Sequence, residues 1–241
     1  MNEATLEKMG RMRLFGMQES FKAILASKSG EQFTIDQLLA TLVQAEWEEH
    51  ENRKINRLMK NAKFRYQSSL DEIDYRHPRN LDKNQMLRFT DCNYLKNAEN
   101  ILVTGATGLG KSHIMSALGH QACLMGYKVM YRNTQKLFNA LKLAQVDGSY
   151  IREMKKIEKQ DLLLLDDFGI QPFDSMACLT LMEIIEDRFG LKSIIIGSQL
   201  PLENWYQIIT EKTVADSILD RLLNSSHKII LVGESMRRKK Y

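Results

Sequence analysis

One stretch of the chain decides the fold: Gly105-Ala106-Thr107-Gly108-Leu109-Gly110-Lys111-Ser112. It matches the P-loop pattern G-x4-G-K-[ST], in which glycines let consecutive backbone N–H groups converge on a phosphate chain. All eight residues are therefore candidate triphosphate-binding residues. In this pattern the lysine, Lys111, reaches the terminal phosphates and the Ser112 hydroxyl binds Mg²⁺. The sequence thus predicts a nucleoside triphosphate and Mg²⁺ as ligands.

The residues around this P-loop alternate between short apolar runs and helical patterns. The apolar runs predict five strands, at 101–104, 128–132, 162–166, 193–197 and 228–232. Helical patterns at 111–125, 134–157, 174–189 and 202–223 fill the gaps. Short apolar strands separated by helices indicate a parallel sheet covered on both faces. The predicted fold class is α/β, with a five-stranded parallel sheet.

A second candidate motif is an apolar strand that ends in two acids. Four consecutive leucines precede Asp166 and Asp167, and Asp166 comes 55 residues after Lys111. A buried strand of this kind can deliver Asp166 to the Mg²⁺ shell opposite Ser112. Asp167 can then orient or polarise an attacking water. The two aspartates can alternatively cap the next helix, but their place behind four leucines favours phosphoryl transfer from ATP to water.

Two further positions are candidates for contacts with the terminal phosphate. Gln199, or else Ser198, follows the strand predicted at 193–197 and can face the phosphate if that strand lies between the two motif-bearing strands. A plain turn before Pro201 is the alternative. Arg221, near the end of the last predicted helix, can serve as an arginine finger for a neighbouring subunit. It can equally pair with Asp216 or Asp220 on its own helix.

The N-terminal part is predicted to be helical as far as about residue 76. Apolar residues between 6 and 25 recur at helical spacings, and the polar run 27–30 ends that helix. Thr34 and Gln37 predict a capping box at the start of a second helix. Pro78 disfavours helix at the residue before it. We therefore expect a helical domain over 1–77 for DNA or partner binding and assembly, a connector over 78–99, and an ATPase core over 100–241.

Composition favours an ordinary globular protein, because 44% of the 241 residues are hydrophobic and 27% are charged. No apolar stretch is long enough to cross a bilayer, and the N-terminus lacks the apolar region of a secretory signal. The three cysteines are scattered and form no Cys-x-x-Cys pair. They suggest reduced thiols in a cytoplasmic protein, with neither disulfides nor a zinc site.

The net charge of +4 is concentrated in basic clusters, at 53–65, 152–159 and 237–240. Clusters of this kind suit contact with phosphate backbones. Any one of them can also be a solvated helix face, but three clusters beside an ATPase core favour nucleic acid. The candidate DNA-binding residues are Lys54, Arg57, Lys60, Arg152, Lys155 and Lys156.

These motifs together resemble a known family along nearly the whole chain. The chain is similar to the IstB-type transposition helper ATPases of bacterial insertion sequences, relatives of the DnaC and DnaI helicase loaders among AAA+ proteins. Besides the P-loop and the two-aspartate strand, the resemblance rests on 13–17, 45–47, 51–53, 62–65, 198–201, 218–223 and 233–237. The C-terminal pair of these segments, combined with the N-terminal helices, is more specific than the P-loop.

The resemblance implies an AAA+ ATPase that forms ATP-dependent oligomers on DNA and assists a partner transposase. It implies that Asp166 belongs to the metal shell, that Asp167 stands in the position of the catalytic acid, and that Ser198 and Gln199 occupy the sensor-1 position. It also implies that Arg221 is the arginine finger, which places the ATP sites at subunit interfaces.

The chain departs from the wider AAA+ pattern in three ways. Many members have Glu where this chain has Asp167, and many have Asn where it has Gln199, so the hydrolysis rate is an open question. No C-terminal lid domain is expected, and Arg237 is a candidate substitute for the lid's sensor arginine, with a solvated tail as the alternative.

Other classes of protein also use a P-loop. A helicase loader would use the same motor on a protein ring, and the sequence does not exclude it. A small-molecule kinase or a GTPase is disfavoured, because the chain has no Asn-Lys-x-Asp guanine motif and no Arg-rich lid between strands.

Overall fold

The computed structural model describes residues 2–27 and 33–236. Contacts divide the chain into two compact units, Met1–Arg57 and Leu58–Tyr241. Residues 58–77 therefore group with the α/β unit by their contacts. The functional division at residue 77 stays a prediction.

The first unit contains helices α1 (Asn2–Arg11) and α2 (Phe15–Ser27) and most of α3 (Ile35–Ala62). The single helix predicted over 6–25 is wrong, because Arg13 takes a left-handed conformation with φ of 62° and separates α1 from α2. The predicted capping box is confirmed: the Thr34 N–H donates to Gln37 Oε1 and the Gln37 N–H donates to Thr34 Oγ1.

Helices α2 and α3 approach closely at Gly16, where a Cβ atom would collide with the backbone of Ala45 and Glu46. The Glu46 carboxylate accepts hydrogen bonds from the N–H groups of Gly16, at 2.8 Å, and Met17, at 3.2 Å. This contact satisfies two of the donors that the start of α2 leaves free. The prediction of helix as far as residue 76 is wrong, because α3 ends at Ala62 and Lys63 has a φ of 58°.

The second unit is an α/β fold. Its strands are β1 (Asn100–Gly105), β2 (Val129–Asn133), β3 (Leu162–Phe168), β4 (Ser193–Ser198) and β5 (Ser226–Leu231). Its helices are α4 (Lys83–Leu87), α5 (Asn93–Lys96), α6 (Lys111–Leu124), α7 (Thr134–Val146), α8 (Tyr150–Glu158), α9 (Ser175–Arg188), α10 (Trp205–Ile208) and α11 (Lys212–Leu223), and short 3-10 turns lie at Leu70–Glu72 and Leu202–Asn204. The predicted fold class is confirmed.

The five strands form one parallel sheet in the order β2-β3-β4-β1-β5. One face packs mainly on α6 and the other on α7, α9 and α11. Because all strands are parallel, their carboxyl ends meet at one edge of the sheet, where α/β proteins bind ligands. We call this the carboxyl edge, and the opposite edge the amino edge.

Two helical predictions in this unit are wrong in extent. The pattern over 134–157 is two helices, because Gly148 turns the chain with φ of 77° between α7 and α8. The pattern over 202–223 is likewise divided, and α11 begins only at Lys212. None of the helices in the described part of the chain combines the length and apolar character that crossing a bilayer demands.

Candidate active site

The P-loop connects the end of β1 to the start of α6 at the carboxyl edge. Gly108 and Gly110 take φ values of 91° and 87°, which residues with a side chain rarely adopt. Helix α6 begins at Lys111, so its first N–H groups open towards the loop. A glycine loop followed by a helix N-terminus provides the partial positive charge that binds phosphate.

Lys111 is buried beside this loop. Its ammonium group donates to the carbonyl oxygens of Gly105, at 2.7 Å, and Ala106, at 2.9 Å. Lys111 lines one cleft together with Gly108, Gly110 and Ser112. The ammonium group is therefore held at the loop that its sequence pattern assigns to phosphate.

Two segments far apart in sequence brace the P-loop from outside. Arg79 is buried, and its guanidinium donates to the carbonyl oxygen of Leu109 at 2.7 Å and to that of Asp74 at 2.8 Å. Burial lowers the pKa of Arg79. The Met236 N–H donates to the Gly108 carbonyl oxygen at 2.9 Å. These contacts fix the backbone of the loop, and sequence patterns alone do not reveal them.

Asp166 lies at the carboxyl end of β3 with only 1% of its side chain exposed. Its Oδ2 accepts a hydrogen bond from the Tyr131 hydroxyl on the neighbouring strand β2. Burial, together with this bond to Asp166, raises the pKa of Tyr131. Tyr131 therefore stays protonated and holds the Asp166 carboxylate in one orientation.

A β-bulge turns Asp167 out of the sheet. Leu165 pairs with Ile196 and Phe168 with Ser198, so β3 contains one more residue than β4 in this interval. Asp167 takes the extra position with φ of 57°, which is strained for an aspartate. Bulges re-aim side chains, and here the Asp167 carboxylate reaches the P-loop cleft.

Asp167 is held by two side chains that the sequence analysis did not select as site residues. The amide of Asn133, at the end of β2, donates to Asp167 Oδ2 at 2.9 Å. The guanidinium of Arg65 lies 3.4 Å from the same oxygen and 3.7 Å from Asp166 Oδ2. The side chain of Arg65 also lines the cleft.

The strand β4 lies between β1 and β3, as the sensor hypothesis requires. Ser198 is buried, and its hydroxyl donates to the carbonyl oxygen of Phe168 at 2.8 Å. Gln199 lines the cleft, where its Oε1 accepts a hydrogen bond from the Thr107 hydroxyl at 2.6 Å. Of the two candidates, Gln199 is thus the one next to the P-loop.

The donors around the cleft fit Mg²⁺. No cluster of three or more His, Cys, Asp or Glu side chains suited to a metal occurs in residues 2–27 and 33–236. Mg²⁺ in nucleotide sites needs few protein ligands, because phosphates and waters supply the others. The hydroxyl of Ser112 and the carboxylate of Asp166 are oxygen donors of the required kind.

Arg221 lies far from this cleft, at the amino edge. Asn100, the first residue of β1, donates through its side chain to the carbonyl oxygen of Leu222 at 3.5 Å. The guanidinium of Arg221 pairs with Glu186 of α9 at 3.0 Å and also bonds Ser217. The predicted alternative pairing with Asp216 or Asp220 is wrong, because the guanidinium points across to α9.

A family model described as "IstB-like ATP binding protein" matches residues 7–241. The chain belongs to this family. A protein named as an insertion sequence ATP-binding protein in Sinorhizobium fredii is 38% identical over 234 residues, which cover 97% of this chain and 96% of the relative. The family to which the chain belongs thus includes proteins named for insertion sequences.

Solved structures support the fold of this IstB-like chain. The crystal structure of DnaI matches with a TM-score of 0.59 and 19% identity, covering 71% of this chain and 91% of DnaI. The DnaC helicase loader matches with a TM-score of 0.55 and 19% identity, covering 68% of this chain and 97% of DnaC. At such identities the likeness establishes the fold alone.

The basic clusters of the IstB-like chain are partly neutralised. Lys54 pairs with Glu51 at 3.2 Å, whereas Arg57 and Lys60 are exposed along the same helix α3. On α8, Arg152 and Lys156 both pair with Glu153, at 3.6 and 2.7 Å, and Lys155 is exposed. The third cluster, 237–240, lies outside the described residues, and so does Arg237 as the candidate substitute for the lid's sensor arginine.

Four side chains at the site escaped sequence analysis: Arg65, Arg79, Tyr131 and Asn133. Tyr131 and Asn133 lie at the end of β2, and only the strand order shows that β2 adjoins β3. Arg65 was visible in the sequence as part of the basic cluster at 53–65 and of the family-like segment 62–65, but neither placed it beside the aspartates.

Proposed function

We propose that this protein is an AAA+ ATPase that assembles on DNA with ATP at its subunit interfaces and assists a partner transposase. The observation that carries the proposal is the distance, within one chain, between the P-loop cleft and Arg221. The P-loop, Asp167 and Arg65 line one cleft at the carboxyl edge, with Asp166 Oδ2 3.7 Å from the Arg65 guanidinium, while Arg221 lies at the amino edge.

Within the site, each group of the chain has a distinct part in hydrolysis. The P-loop backbone and Lys111 hold the triphosphate, and Gln199 contacts its terminal end. Mg²⁺, held by Ser112 and Asp166 when bound, would neutralise charge that develops on the phosphates. Asp167 accepts a proton from, or orients, the attacking water, and Asn133 keeps its carboxylate aimed at the cleft.

The position of Arg221 supports a site completed by a second copy of the chain. Strand β1 runs from Asn100, beside Leu222, to Gly105, at the P-loop. Five steps along a parallel strand cover roughly 16 Å, which the side chain of Arg221 cannot bridge to its own P-loop. A neighbouring subunit can bring its Arg221 to the terminal phosphate, where an arginine finger stabilises the transition state.

The exposed basic side chains support contact with DNA. Arg57 and Lys60 on α3 and Lys155 on α8 are exposed cations that phosphates can reach. Lys54, Arg152 and Lys156 can join them by exchanging their surface ion pairs, which are individually weak. The family's relatives are named for insertion sequences, which supports the proposal of a partner transposase.

ATP-dependent retention of duplex DNA tests the proposal. Lys111→Ala and Arg221→Ala should each abolish the retention that ATP adds, because one removes the triphosphate contact and the other the contact between subunits. Arg76→Ala, which removes an exposed arginine outside the cleft, is the matched control and should retain DNA normally. Undiminished retention by both site variants would contradict the proposal. Charge-removing changes at Arg57, Lys60 and Lys155 should reduce the salt dependence of binding.

A helicase loader is the second candidate, because the fold is that of DnaI and the DnaC helicase loader. The motor would be the same, but the partner would be a helicase ring. Pull-downs run in parallel with the host's replicative helicase and with the insertion sequence's transposase distinguish the two candidate functions. Capture of the helicase alone would favour the loader.

A further inference from the structure

The guanidinium of Arg65 occupies a place that neither the P-loop pattern nor the two-aspartate strand requires. It lies 3.4 Å from Asp167 Oδ2 and 3.7 Å from Asp166 Oδ2, and it lines the cleft with Lys111 and Ser112. It forms ion pairs with both of these carboxylates. Arg65 thus faces the acids that the proposed function assigns to metal and water.

The backbone beneath Arg65 is fixed. Ala62 ends α3 fully buried, and Lys63 reverses the chain with φ of 58°. Phe64 then packs onto α6 at Gly119, where an added Cβ atom would meet the phenyl ring and Leu164. The chain is therefore anchored on both sides of the turn that delivers Arg65 to the cleft.

The side chain of Arg65, in contrast, has room to leave. It is 46% exposed, and its guanidinium lies 5.6 Å from the ring centroid of Tyr66, which also lines the cleft. An aromatic ring at this distance attracts a cation. The guanidinium already lies beside this ring while it pairs with the two aspartates, so it can keep this contact when it withdraws from them.

We propose that Arg65 is a positioning residue that competes with Mg²⁺ for Asp166 and Asp167, and so couples metal binding to ATP binding. Before the metal binds, the guanidinium neutralises two carboxylates beside the P-loop cleft, where the negatively charged triphosphate is to bind. Two cations cannot share Asp166 without strong repulsion. Entry of the metal therefore requires the Arg65 guanidinium to withdraw from Asp166 towards solvent, beside Tyr66.

This inference rests on the proposed function, since it assumes that the cleft binds ATP with Mg²⁺. The test compares Arg65→Gln and Arg65→Lys with wild type, and uses Arg76→Gln as a control that removes one exposed arginine from the nearby segment. Two quantities are measured: the Kd of a fluorescent ATP analogue with Mg²⁺ and with a chelator, and the Kd of Mn²⁺ for nucleotide-free protein by electron paramagnetic resonance.

In Arg65→Gln, the analogue should bind about tenfold more weakly without metal, because two bare carboxylates then repel the triphosphate. Binding with Mg²⁺ should change little, so the ratio of the two Kd values should rise about tenfold. Mn²⁺ alone should bind several-fold more tightly, because its competitor is gone. Arg65→Lys keeps the charge and should stay near the wild-type ratio, and Arg76→Gln should match wild type.

A ratio unchanged in Arg65→Gln would overturn the inference, and so would an equal weakening under both conditions, which a merely structural role predicts. Weaker Mn²⁺ binding in Arg65→Gln would also overturn it. If wild-type protein bound no ATP under either condition, the proposed function would fail instead. The Mn²⁺ measurement alone would then decide whether Arg65 competes with the metal.

Discussion

The two edges of the sheet each present an arginine paired with a carboxylate, and the two arginines stand in opposite relations to the P-loop. Arg65, at the carboxyl edge, faces Asp166 and Asp167 in the same cleft as Lys111. Arg221, at the amino edge, pairs with Glu186 of α9. The direction of the parallel strands determines which of them a nucleotide in the same chain can meet.

Residue type alone therefore does not identify an arginine finger. A basic residue beside the two-aspartate strand can act within its own subunit, whereas one at the opposite edge needs a neighbour. We expect the carboxyl edge to control hydrolysis within a chain and the amino edge to control it between chains.

The largest predicted change is in the rate of ATP hydrolysis, for a variant of Asp167 at the carboxyl edge. Asp167→Asn should lower ATP hydrolysis about 100-fold while leaving the Kd for ATP nearly unchanged, because a general base contributes about 10²–10⁴-fold to rate. Phosphate release and analogue binding measure the two quantities. Asp167→Glu is the matched control and should retain more activity. An equal loss of ATP binding in Asp167→Asn would mean that the residue only shapes the site.

A second prediction distinguishes two arginines at the amino edge. Arg188 is buried and donates to four backbone carbonyl oxygens, those of Ile157, Gln160, Asp161 and Ser193. Arg188→Met should lower the free energy of unfolding by about 2 kcal/mol, because it leaves buried acceptors without a donor. Denaturant unfolding measures this change.

Arg221→Met serves as the comparison for Arg188→Met, because its ion pair with Glu186 is partly exposed and such pairs contribute little to stability. It should unfold within about 0.5 kcal/mol of wild type. Equal destabilisation of the two variants would make Arg221 a structural residue and remove the contrast between the edges.

The smallest predicted change is the ATP turnover recovered when variants of the two edges are mixed. Lys111→Ala protein and Arg221→Ala protein should each be inactive alone, but a one-to-one mixture should recover about a quarter of the wild-type rate. An intact P-loop then meets an intact Arg221 of its neighbour in about one interface of four, as random head-to-tail assembly implies.

The control for the mixture is a single chain that carries both Lys111→Ala and Arg221→Ala. It should recover no ATP turnover when it is mixed with either single variant, because one of the two groups is then absent from every chain. Recovery is measured as ATP turnover across mixing ratios. Mixed assemblies that form without any recovered turnover would contradict a shared site.

Much of the α/β unit could be predicted because its signals are local. All five strands lie within two residues of their predicted starts, since each is a short apolar run bounded by polar residues. Helix extents were harder to predict. Periodicity continues across the breaks at Arg13 and Gly148, where the backbone takes positive φ, and apolar spacing does not register a single reversed residue.

The candidate site could likewise be predicted only in part. The place of Lys111, Ser112 and Asp166 at the carboxyl edge could be predicted, because the first two follow a glycine loop into a helix and Asp166 follows an apolar strand. The ion-pair partner of Arg221 could not be predicted, because Glu186 belongs to another helix and lies 35 residues away. The choice between Ser198 and Gln199 also depended on geometry, since Ser198 is occupied by the Phe168 carbonyl oxygen.

The P-loop, the acidic strand end and the alternation of strands and helices could all be read from the amino-acid sequence, because each depends on neighbours within a few residues. Which side chains meet at the site depends instead on the tertiary structure. Strand order brings Tyr131 and Asn133 to the two aspartates, and the turn after α3 brings Arg65. Strand direction separates Arg221 from its own P-loop, because contacts between distant segments follow from how the whole sheet packs.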